Sequence, residues 1–235
     1  MLNRIKIILK QELFVLKETN VIYYFHFYSN LRSIISSIER KLPAHILSTK
    51  NQGDDISENK YTNYKFWIKE CLIRFYKLKL YKQRSKLNIL DLGTGFGFFP
   101  YICKTLKHRA ECLDSPDSEL YSEVISYLGL KRYEETIEEN KPILLNGSNK
   151  KFDLITAFMI CFNNHKTEKL WDVAEWRFFI SDMYNNHLSE GGSIYLNFNK
   201  EENGQFFDHN LRRFFENNSY AIDRNNVYIS HPPKD

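Results

Sequence analysis

Asn88-Ile89-Leu90-Asp91-Leu92-Gly93-Thr94-Gly95-Phe96-Gly97 is the stretch of this chain that decides its fold. An apolar run typical of a buried strand leads directly into a glycine-rich turn, and a helical pattern follows the turn. Glycines let the backbone turn tightly and approach a ligand closely, while the first turn of a helix presents unpaired backbone amides. The stretch therefore predicts a strand–loop–helix unit with a ligand held at the loop.

The residues around the glycines indicate which ligand this loop suits. Asp91 lies at the end of the strand, where a carboxylate would repel the pyrophosphate of a dinucleotide but attract a cationic group. The glycines are spaced G-x-G-x-G, and Phe98 takes the place of the last glycine in the dinucleotide pattern G-x-G-x-x-G. Both features disfavour a nicotinamide cofactor, although a nicotinamide-dependent oxidoreductase stays open as an alternative.

A second acid ends the next predicted strand. The run Ala110-Glu111-Cys112-Leu113-Asp114 places a carboxylate 17 residues after Gly97. At the end of a strand, such a carboxylate can accept hydrogen bonds from both hydroxyls of a ribose. The alternative is that Asp114 only caps a helix that begins near Ser115. Spacing, residue type and position favour the ribose role.

With these two segments, residues 88–199 resemble the class I S-adenosylmethionine-dependent methyltransferases. Residues 151–158 resemble the family's fourth strand, and residues 188–195 resemble the turn into its fifth. The resemblance implies S-adenosylmethionine as the cofactor and S-adenosylhomocysteine as the product. Glu138 and Glu139 are the nearest candidates for the family's adenine-contacting acid. The implied cofactor-binding residues are Asp91, Gly93, Thr94, Gly95, Phe96, Gly97, Asp114, Ser115, Ile137 and Phe158.

From residue 87 onward, short apolar segments alternate with helical ones. This alternation predicts an α/β fold, a Rossmann-like doubly wound and mostly parallel sheet with helices on both faces. Residues 1–86 are predicted to form a helical extension or cap, and residues 87–235 the cofactor-binding methyltransferase domain. One long helix is expected over 170–188. A single extended segment over 221–229 looks short for the antiparallel pair of strands that ends the family's sheet.

The acceptor is expected beyond the carboxyl ends of the predicted fourth and fifth strands. His165 is the candidate base, because a base adds roughly 10²–10⁴-fold when the acceptor is a hydroxyl. Asn163, Asn164 and Asn199 are candidates for orienting the acceptor. Trp171 would either stack on a substrate ring or pack in the core. An ordinary solvated histidine is the competing interpretation of His165.

The class of acceptor is indicated more weakly. Residues 152–199, with Cys161-Phe162-Asn163 and Glu175-Trp176, resemble bacterial methyltransferases of surface-polysaccharide and capsule biosynthesis. That resemblance implies O-methylation of a small or glycan-related acceptor, at a sugar hydroxyl or a phosphoryl oxygen. The basic residues between 60 and 86 face a single acid, Glu70, and would suit an RNA methyltransferase. The Asn/Asp-Pro-Pro-aromatic signature of enzymes that methylate base amines is absent, which makes nucleic acid the less favoured partner. A non-catalytic cofactor-binding subunit stays open as well.

The composition limits the remaining classes. The chain has 235 residues, 43% of them hydrophobic, and a net charge of +4, which is weakly basic for a dedicated nucleic-acid binder. Its four cysteines lack metal-ligand spacing, which predicts no metal site and reduced thiols in the cytoplasm. No run approaches the ~18 apolar residues of a membrane span. Residues 1–17 predict an amphipathic helix that covers the domain or makes a peripheral membrane contact. The oligomeric state stays open.

Overall fold

A computed structural model of the protein describes residue 13 and residues 21–48, 63–145 and 149–234. The predicted amphipathic helix over 1–17 lies outside these ranges apart from residue 13. The helices, in chain order, are α1 (Val21–Lys41), α2 (Ala44–Ser48), α3 (Tyr64–Lys77), α4 (Phe98–Thr105), α5 (Glu119–Tyr127), α6 (Val173–Asp182) and α7 (His209–Asn217). The strands are β1 (Asn88–Leu92), β2 (Arg109–Asp114), β3 (Arg132–Glu134), β4 (Phe152–Ile160), β5 (Leu188–Phe198), β6 (Ala221–Asp223) and β7 (Asn226–Ile229).

Within the described residues, the strands form one seven-stranded sheet in the order β3-β2-β1-β4-β5-β7-β6. The first five strands pair in parallel, and β7 runs antiparallel to both β5 and β6. The predicted Rossmann-like, mostly parallel sheet is confirmed. The expectation of a single extended segment over 221–229 was wrong. Arg224, with φ 56°, turns the chain back, so that this segment forms an antiparallel pair of strands.

Helices cover both faces of the sheet, as predicted. Successive residues of a strand point to opposite faces, and the fully buried pair Ile89 and Leu90 shows this directly. Ile89 belongs to a hydrophobic cluster with residues of α1, α3, α4 and α5. Leu90 belongs to a second cluster with residues of α6 and α7. A strand buried on both sides explains the continuous apolar run that precedes the glycines.

The helices that precede β1 share the first of these clusters with the sheet. Phe27 of α1 is fully buried, and its ring contacts that of Tyr76 of α3 at a centroid distance of 5.3 Å. Leu72 of α3 is fully buried in the same cluster as Leu154 of β4. In contrast, Phe25, which lies two residues before Phe27 in α1, is 69% exposed. The packing of α3 against the sheet brings one side of this helix to the carboxyl end of β1.

The predicted helix over 170–188 is shorter than expected. Asp172 caps α6 in a capping box with Glu175, so the helix starts at Val173. A π-helical turn, Met183–His187, follows α6. Leu188 then pairs with Phe152, the first residue of β4, and begins β5. The parallel pairing of β5 with β4 thus extends to the first residue of both strands. Strand pairing, which a helical pattern cannot show, therefore ends the helix.

Candidate functional site

A cavity of about 400 Å³ lies at the carboxyl ends of β1, β2 and β4. This is where ligands of doubly wound sheets bind. The glycine loop forms its floor, the segments after β2, β3 and β4 form its walls, and α3 adds a further wall. Its volume falls at the lower end of the ~300–1,000 Å³ range of small-molecule sites. The cavity therefore has room for one ligand of cofactor size.

The structure brings together most of the residues expected to contact a cofactor. The predicted residues that line the cavity are Asp91, Gly93, Thr94, Gly95, Asp114, Ser115, Ile137 and Phe158. Phe96 and Gly97 are not among the lining residues. The Phe96 ring instead packs against the rings of Phe98 and Tyr121. Gly97 occupies the position before α4, where it serves the turn into the helix.

The glycine loop needs glycine for reasons of backbone geometry. Gly93, Gly95 and Gly97 all have positive φ, at 65°, 57° and 70°, where side chains with a Cβ are strained. At Gly97 a Cβ would also lie 3.1 Å from Leu130 and 3.2 Å from Ile125. The amide of Gly93 donates to the carbonyl of Leu113 over 2.8 Å, which ties the loop to β2. The loop is thus held as a preformed turn.

Asp91 is 3% exposed, and both of its oxygens accept hydrogen bonds. The hydroxyl of Thr94 donates to Oδ2 over 2.9 Å, and that of Thr156 donates to Oδ1 over 2.6 Å. Burial raises the pKa of Asp91 to about 7, while the two hydroxyls and the charge of Arg74 act in the opposite direction. A cation in the cavity would favour the ionised form of this carboxyl group.

Asp114 holds the glycine loop from the neighbouring strand. Its Oδ2 accepts from the amide of Gly95 over 2.6 Å, and its Oδ1 accepts from the amide of Ser115 over 2.9 Å. Helix α5 begins after Ser118, whose hydroxyl accepts from the amide of Tyr121. Ser118, and not Asp114, therefore caps this helix, and the capping alternative for Asp114 is excluded.

The acid that lines the cavity after β3 is Glu135. The candidates Glu138 and Glu139 are not among the lining residues. Glu138 pairs with Lys141, and Glu139 accepts from the side-chain amide of Asn164 over 3.4 Å. Strand β3 ends at Glu134, and Glu135 is therefore the first residue after the strand.

One wall of the cavity comes from α3, which the sequence analysis did not assign to the site. Trp67, Cys71 and Arg74 line the cavity at helical spacing, one turn apart. The Arg74 guanidinium lies 4.5 Å from the centroid of the Phe158 ring, and it is the only basic group among the described lining residues. Arg74 lies on the same helical stripe as Trp67 and Cys71, and this spacing could have distinguished it from the other basic residues between 60 and 86.

At the end of β4 the backbone is strained. Met159, which lines the cavity, has φ 54°, a conformation that costs a non-glycine residue free energy and that clusters at functional sites. Asn197 accepts from its amide over 3.2 Å, and the side-chain amide of Asn199 donates to its carbonyl over 2.9 Å. Asn199 also donates to the carbonyl of Ile160 and to Sγ of Cys161. Asn199 thus secures the strand end.

His165 forms a pair with Glu201 that the sequence analysis did not anticipate. Both carboxylate oxygens of Glu201 lie 3.0 Å from Nδ1 of His165, and Oε2 also accepts from the amide of Lys166 over 2.8 Å. The side chains of His165 and Glu201 are 13% and 9% exposed. The sequence could have indicated this pair, because His165 follows β4 and Glu201 follows β5. The loops that follow neighbouring parallel strands lie side by side.

The candidate base His165 and the candidate orienting residues Asn163 and Asn164 are not among the residues that line the cavity. Asn163 is 3% exposed, and its carbonyl accepts from the amide of Trp171. Asn164 adopts φ 58° and donates to the carbonyl of Lys169. Trp171 is 4% exposed and packs in the hydrophobic core, which leaves its ring no open face for a substrate. Cys161 and Phe162, directly before these residues, do line the cavity.

Three of the four cysteines are buried. In the described part of the chain, no group of three or more His, Cys, Asp or Glu side chains could hold a metal ion. Burial raises the pKa of the Cys71 thiol to about 12 and also raises the pKa values of Cys103 and Cys112. Among the helices of the described ranges, none has the length and apolar character needed to cross a membrane.

No protein-family model matches this chain, and no curated protein sequence matches it. Several solved structures do match this chain. A TehB-like S-adenosylmethionine-dependent methyltransferase from Corynebacterium glutamicum superposes with a TM-score of 0.50 over 76% of this chain and 98% of its own, at 13% identity. This similarity shows that the two proteins share the fold.

Two further structures match more distantly. The amino pentose methyltransferase CalS10 from Micromonospora echinaspora has a TM-score of 0.45 at 20% identity, covering 63% of this chain and 58% of its own. The glycopeptide N-methyltransferase MtfA has a TM-score of 0.41 at 14% identity, covering 55% of this chain. This chain spans about half the length of MtfA, 54%.

Proposed function

We propose that this protein is an S-adenosylmethionine-dependent methyltransferase whose cofactor occupies the cavity at the ends of β1, β2 and β4. The observation that carries the proposal is the pair Asp91 and Asp114, two carboxylates that line the cavity on either side of a glycine loop. Carboxylates at this loop attract the ammonium and sulfonium groups of S-adenosylmethionine and repel a pyrophosphate.

The residues that line the cavity suit the ribose, the adenine ring and the methionine part of this cofactor. The carboxylate of Asp114, which accepts from the backbone amides of Gly95 and Ser115, would also accept from the ribose hydroxyls. Glu135 would accept from the adenine amino group, and the buried side chain of Ile137 would pack against the ring. Arg74, the lone basic group among the described lining residues, would pair with the carboxylate of the methionine part.

In this arrangement the N-terminal helical segment completes the cofactor site. The proposed extension, residues 1–86, contributes Trp67, Cys71 and Arg74 through α3. The remaining wall belongs to the proposed methyltransferase domain, residues 87–235. Removing the extension would therefore remove the partner for the cofactor's carboxylate as well as half of a hydrophobic cluster.

Bound S-adenosylmethionine would supply an electrophilic methyl group, and the protein's contribution is to hold an acceptor in line with it. We place the acceptor beside Cys161 and Phe162, with Asn163 and Asn164 orienting it and His165 removing its proton. A small or glycan-related hydroxyl, as in surface-polysaccharide precursors, is the proposed acceptor class. Its support is the sequence resemblance of residues 152–199.

Calorimetric titration with S-adenosylmethionine, S-adenosylhomocysteine and NADH tests the cofactor class. We expect micromolar binding of both adenosyl ligands and none of NADH. Asp114→Ala should weaken the adenosyl ligands by about 10- to 100-fold, the loss of one charge-assisted hydrogen bond or more. Glu190→Gln, a change of an exposed acid outside the cavity, is the matched control. Preferential binding of NADH would sink the proposal.

A further inference from the structure

The size of the cavity determines where a second substrate has to bind. A volume of about 400 Å³ accommodates one ligand of cofactor size. An acceptor must therefore approach from outside, across the loops that border the opening. We call residues 161–167, which follow β4, and residues 199–205, which follow β5, the rim loops. Cys161 and Phe162 of the first rim loop line the cavity, so this loop borders the opening.

His165 and Glu201 connect the two rim loops. The amide of His165 donates to the carbonyl of Cys161, which places the histidine one turn beyond the cavity wall. Both oxygens of Glu201 face Nδ1 of His165 at 3.0 Å. Among the described residues, Nε2 of His165 has no hydrogen-bond partner. An imidazole held through one nitrogen, with the other nitrogen open, is the arrangement of a general base and its orienting carboxylate.

We infer that Glu201 is a positioning residue that fixes His165 as the general base for a hydroxyl acceptor. The inference rests on the proposed methyltransferase function and narrows its acceptor to a group that loses a proton on methylation. Glu201 accepts a hydrogen bond from the protonated Nδ1, which leaves the Nε2 lone pair to receive the proton of the acceptor hydroxyl. The carboxylate then stabilises the imidazolium that forms.

The reaction balances without any further reactant. The acceptor oxygen forms a bond to the methyl carbon, and the bond from that carbon to sulfur breaks with its electron pair left on sulfur. The hydroxyl proton passes to Nε2 of His165 and later to solvent. The products are a methyl ether or ester, S-adenosylhomocysteine and one proton.

A purely structural role for this pair is the competing explanation, and the surrounding contacts weigh against it. The rim loops are already joined by the amide of Lys166, which donates to Glu201, and by Asn199, which donates to Sγ of Cys161. A histidine is not required for either contact. The side chain of His165 is therefore not the sole connection between the loops, and it adds an oriented imidazole to the rim loop that borders the opening.

The first test locates His165 relative to the transferable methyl group without requiring an acceptor. S-adenosylmethionine carrying a ¹³C-labelled methyl group is added to the whole protein, and isotope-filtered nuclear Overhauser spectra are recorded. We expect a cross-peak from the methyl group to the His165 ring protons, assigned by its loss in His165→Asn. Cofactor bound in calorimetry but no cross-peak would overturn the inference. Absence of binding would instead refute the proposed function.

The second test asks what Glu201 does. Long-range ¹H–¹⁵N spectra of the imidazole should show His165 as the Nδ1–H tautomer in the wild type and as a mixture of tautomers in Glu201→Gln. Glu201→Asp, which keeps the carboxylate, should restore the wild-type tautomer in part. Glu202→Gln, a change of the exposed neighbouring glutamate, should leave the spectrum unchanged. An Nδ1–H tautomer that persists without the carboxylate would remove Glu201 from its positioning role.

Turnover provides a third readout, with methyl α-D-glucopyranoside, glucose 1-phosphate and catechol as hydroxyl probes. For any probe that is methylated, His165→Asn should lower kcat by about 10²-fold or more while the Kd for S-adenosylmethionine stays unchanged. Glu201→Gln should lower kcat by about tenfold or more, again with unchanged cofactor affinity. Unchanged kcat in both variants would overturn the inference. If none of the probes is methylated, the two spectroscopic tests decide it.

Discussion

The glycine-loop side of the cavity and its rim loops use polar groups in different ways. On the glycine-loop side, Asp91 and Asp114 are held by hydroxyls and backbone amides of buried strands and tight turns. On the rim side, His165, Glu201 and Asn199 bond across two loops that are far apart in the sequence. In the proposed function, the first side binds a charged cofactor. The second side presents side chains to an acceptor that arrives from outside.

This difference predicts separate effects for changes on the glycine-loop side, at the rim and beneath both. Changes on the glycine-loop side should alter cofactor affinity, because that side contributes charge to the cavity. Changes at the rim should alter turnover and leave cofactor affinity intact. Changes beneath either side should alter the free energy of unfolding. Each prediction below tests one of these consequences.

The largest effect is expected beneath the rim loops. Trp176 is fully buried, and its ring contacts those of Phe162, Trp171 and Phe198. Trp176→Ala should lower the free energy of unfolding by about 3–5 kcal/mol, because it leaves a large cavity. Trp176→Phe should lower it much less, since it keeps a ring and removes an indole N–H that has no hydrogen-bond partner in the described part of the chain. Urea denaturation measures both, and equal losses would mean that the ring contacts do not support the rim.

The next effect concerns the wall that α3 contributes. Arg74→Gln should weaken S-adenosylmethionine binding by about 10- to 100-fold through loss of a charge-assisted hydrogen bond. Methylthioadenosine lacks the cofactor's carboxylate, so its affinity should be the same for the variant and the wild type. Lys77→Gln, an exposed change on the same helix, is the control. A loss of equal size for both ligands would show that Arg74 acts on the shape of the cavity and not on the carboxylate.

Burial of Asp91 should lower the free energy of unfolding of the protein as the pH rises. Burial raises its pKa to about 7 from 3.8, so the folded protein holds the proton more tightly than the unfolded chain. The contribution of Asp91 to the free energy of unfolding is therefore greatest below pH 3.8, the pKa of the group in the unfolded chain. This contribution falls as the pH rises toward about 7 and stays constant at higher pH. Asp91→Asn removes this loss.

Relative to wild type, Asp91→Asn should thus be more stable at about pH 8 than at about pH 4, by on the order of 3–4 kcal/mol. Denaturant titrations at the two pH values measure this difference. The same variant should bind S-adenosylmethionine more weakly, because the cavity loses a negative charge. A variant with the same relative stability at both pH values would show that Asp91 is ionised in the folded protein with an ordinary pKa.

The smallest effect separates backbone strain from crowding in the glycine loop. Gly97 and Gly129 have similar positive φ values, 70° and 66°, but only at Gly97 would a Cβ meet neighbours, at 3.1 Å and 3.2 Å. Both alanine variants carry the backbone strain. Gly97→Ala should be less stable than Gly129→Ala by on the order of 1 kcal/mol, the cost of overpacking. Thermal unfolding of the two variants gives the comparison, and equal midpoints would mean that Leu130 and Ile125 move aside freely.

The elements that the sequence predicted best are those with a strong local pattern. The strand, loop and helix from β1 to α4, the acid Asp114 and the alternation of strands and helices all follow from residue spacing within short windows. Glu135, the acid that lines the cavity after β3, was not predicted because β3 is only three residues long and its end could not be read from the pattern. The terminal pair of strands was missed because Arg224, not a glycine, makes the turn.

The sequence by itself thus determined the mostly parallel sheet, the preformed glycine loop and the two carboxylates beside it, because backbone conformation and side-chain period are set locally. Only the tertiary structure decided that Arg74 faces the cavity and that Glu201 meets His165. Those residues are brought together by the packing of α3 on the sheet and by the pairing of β4 with β5. Such contacts depend on the relative positions of whole elements, which no local window of sequence contains.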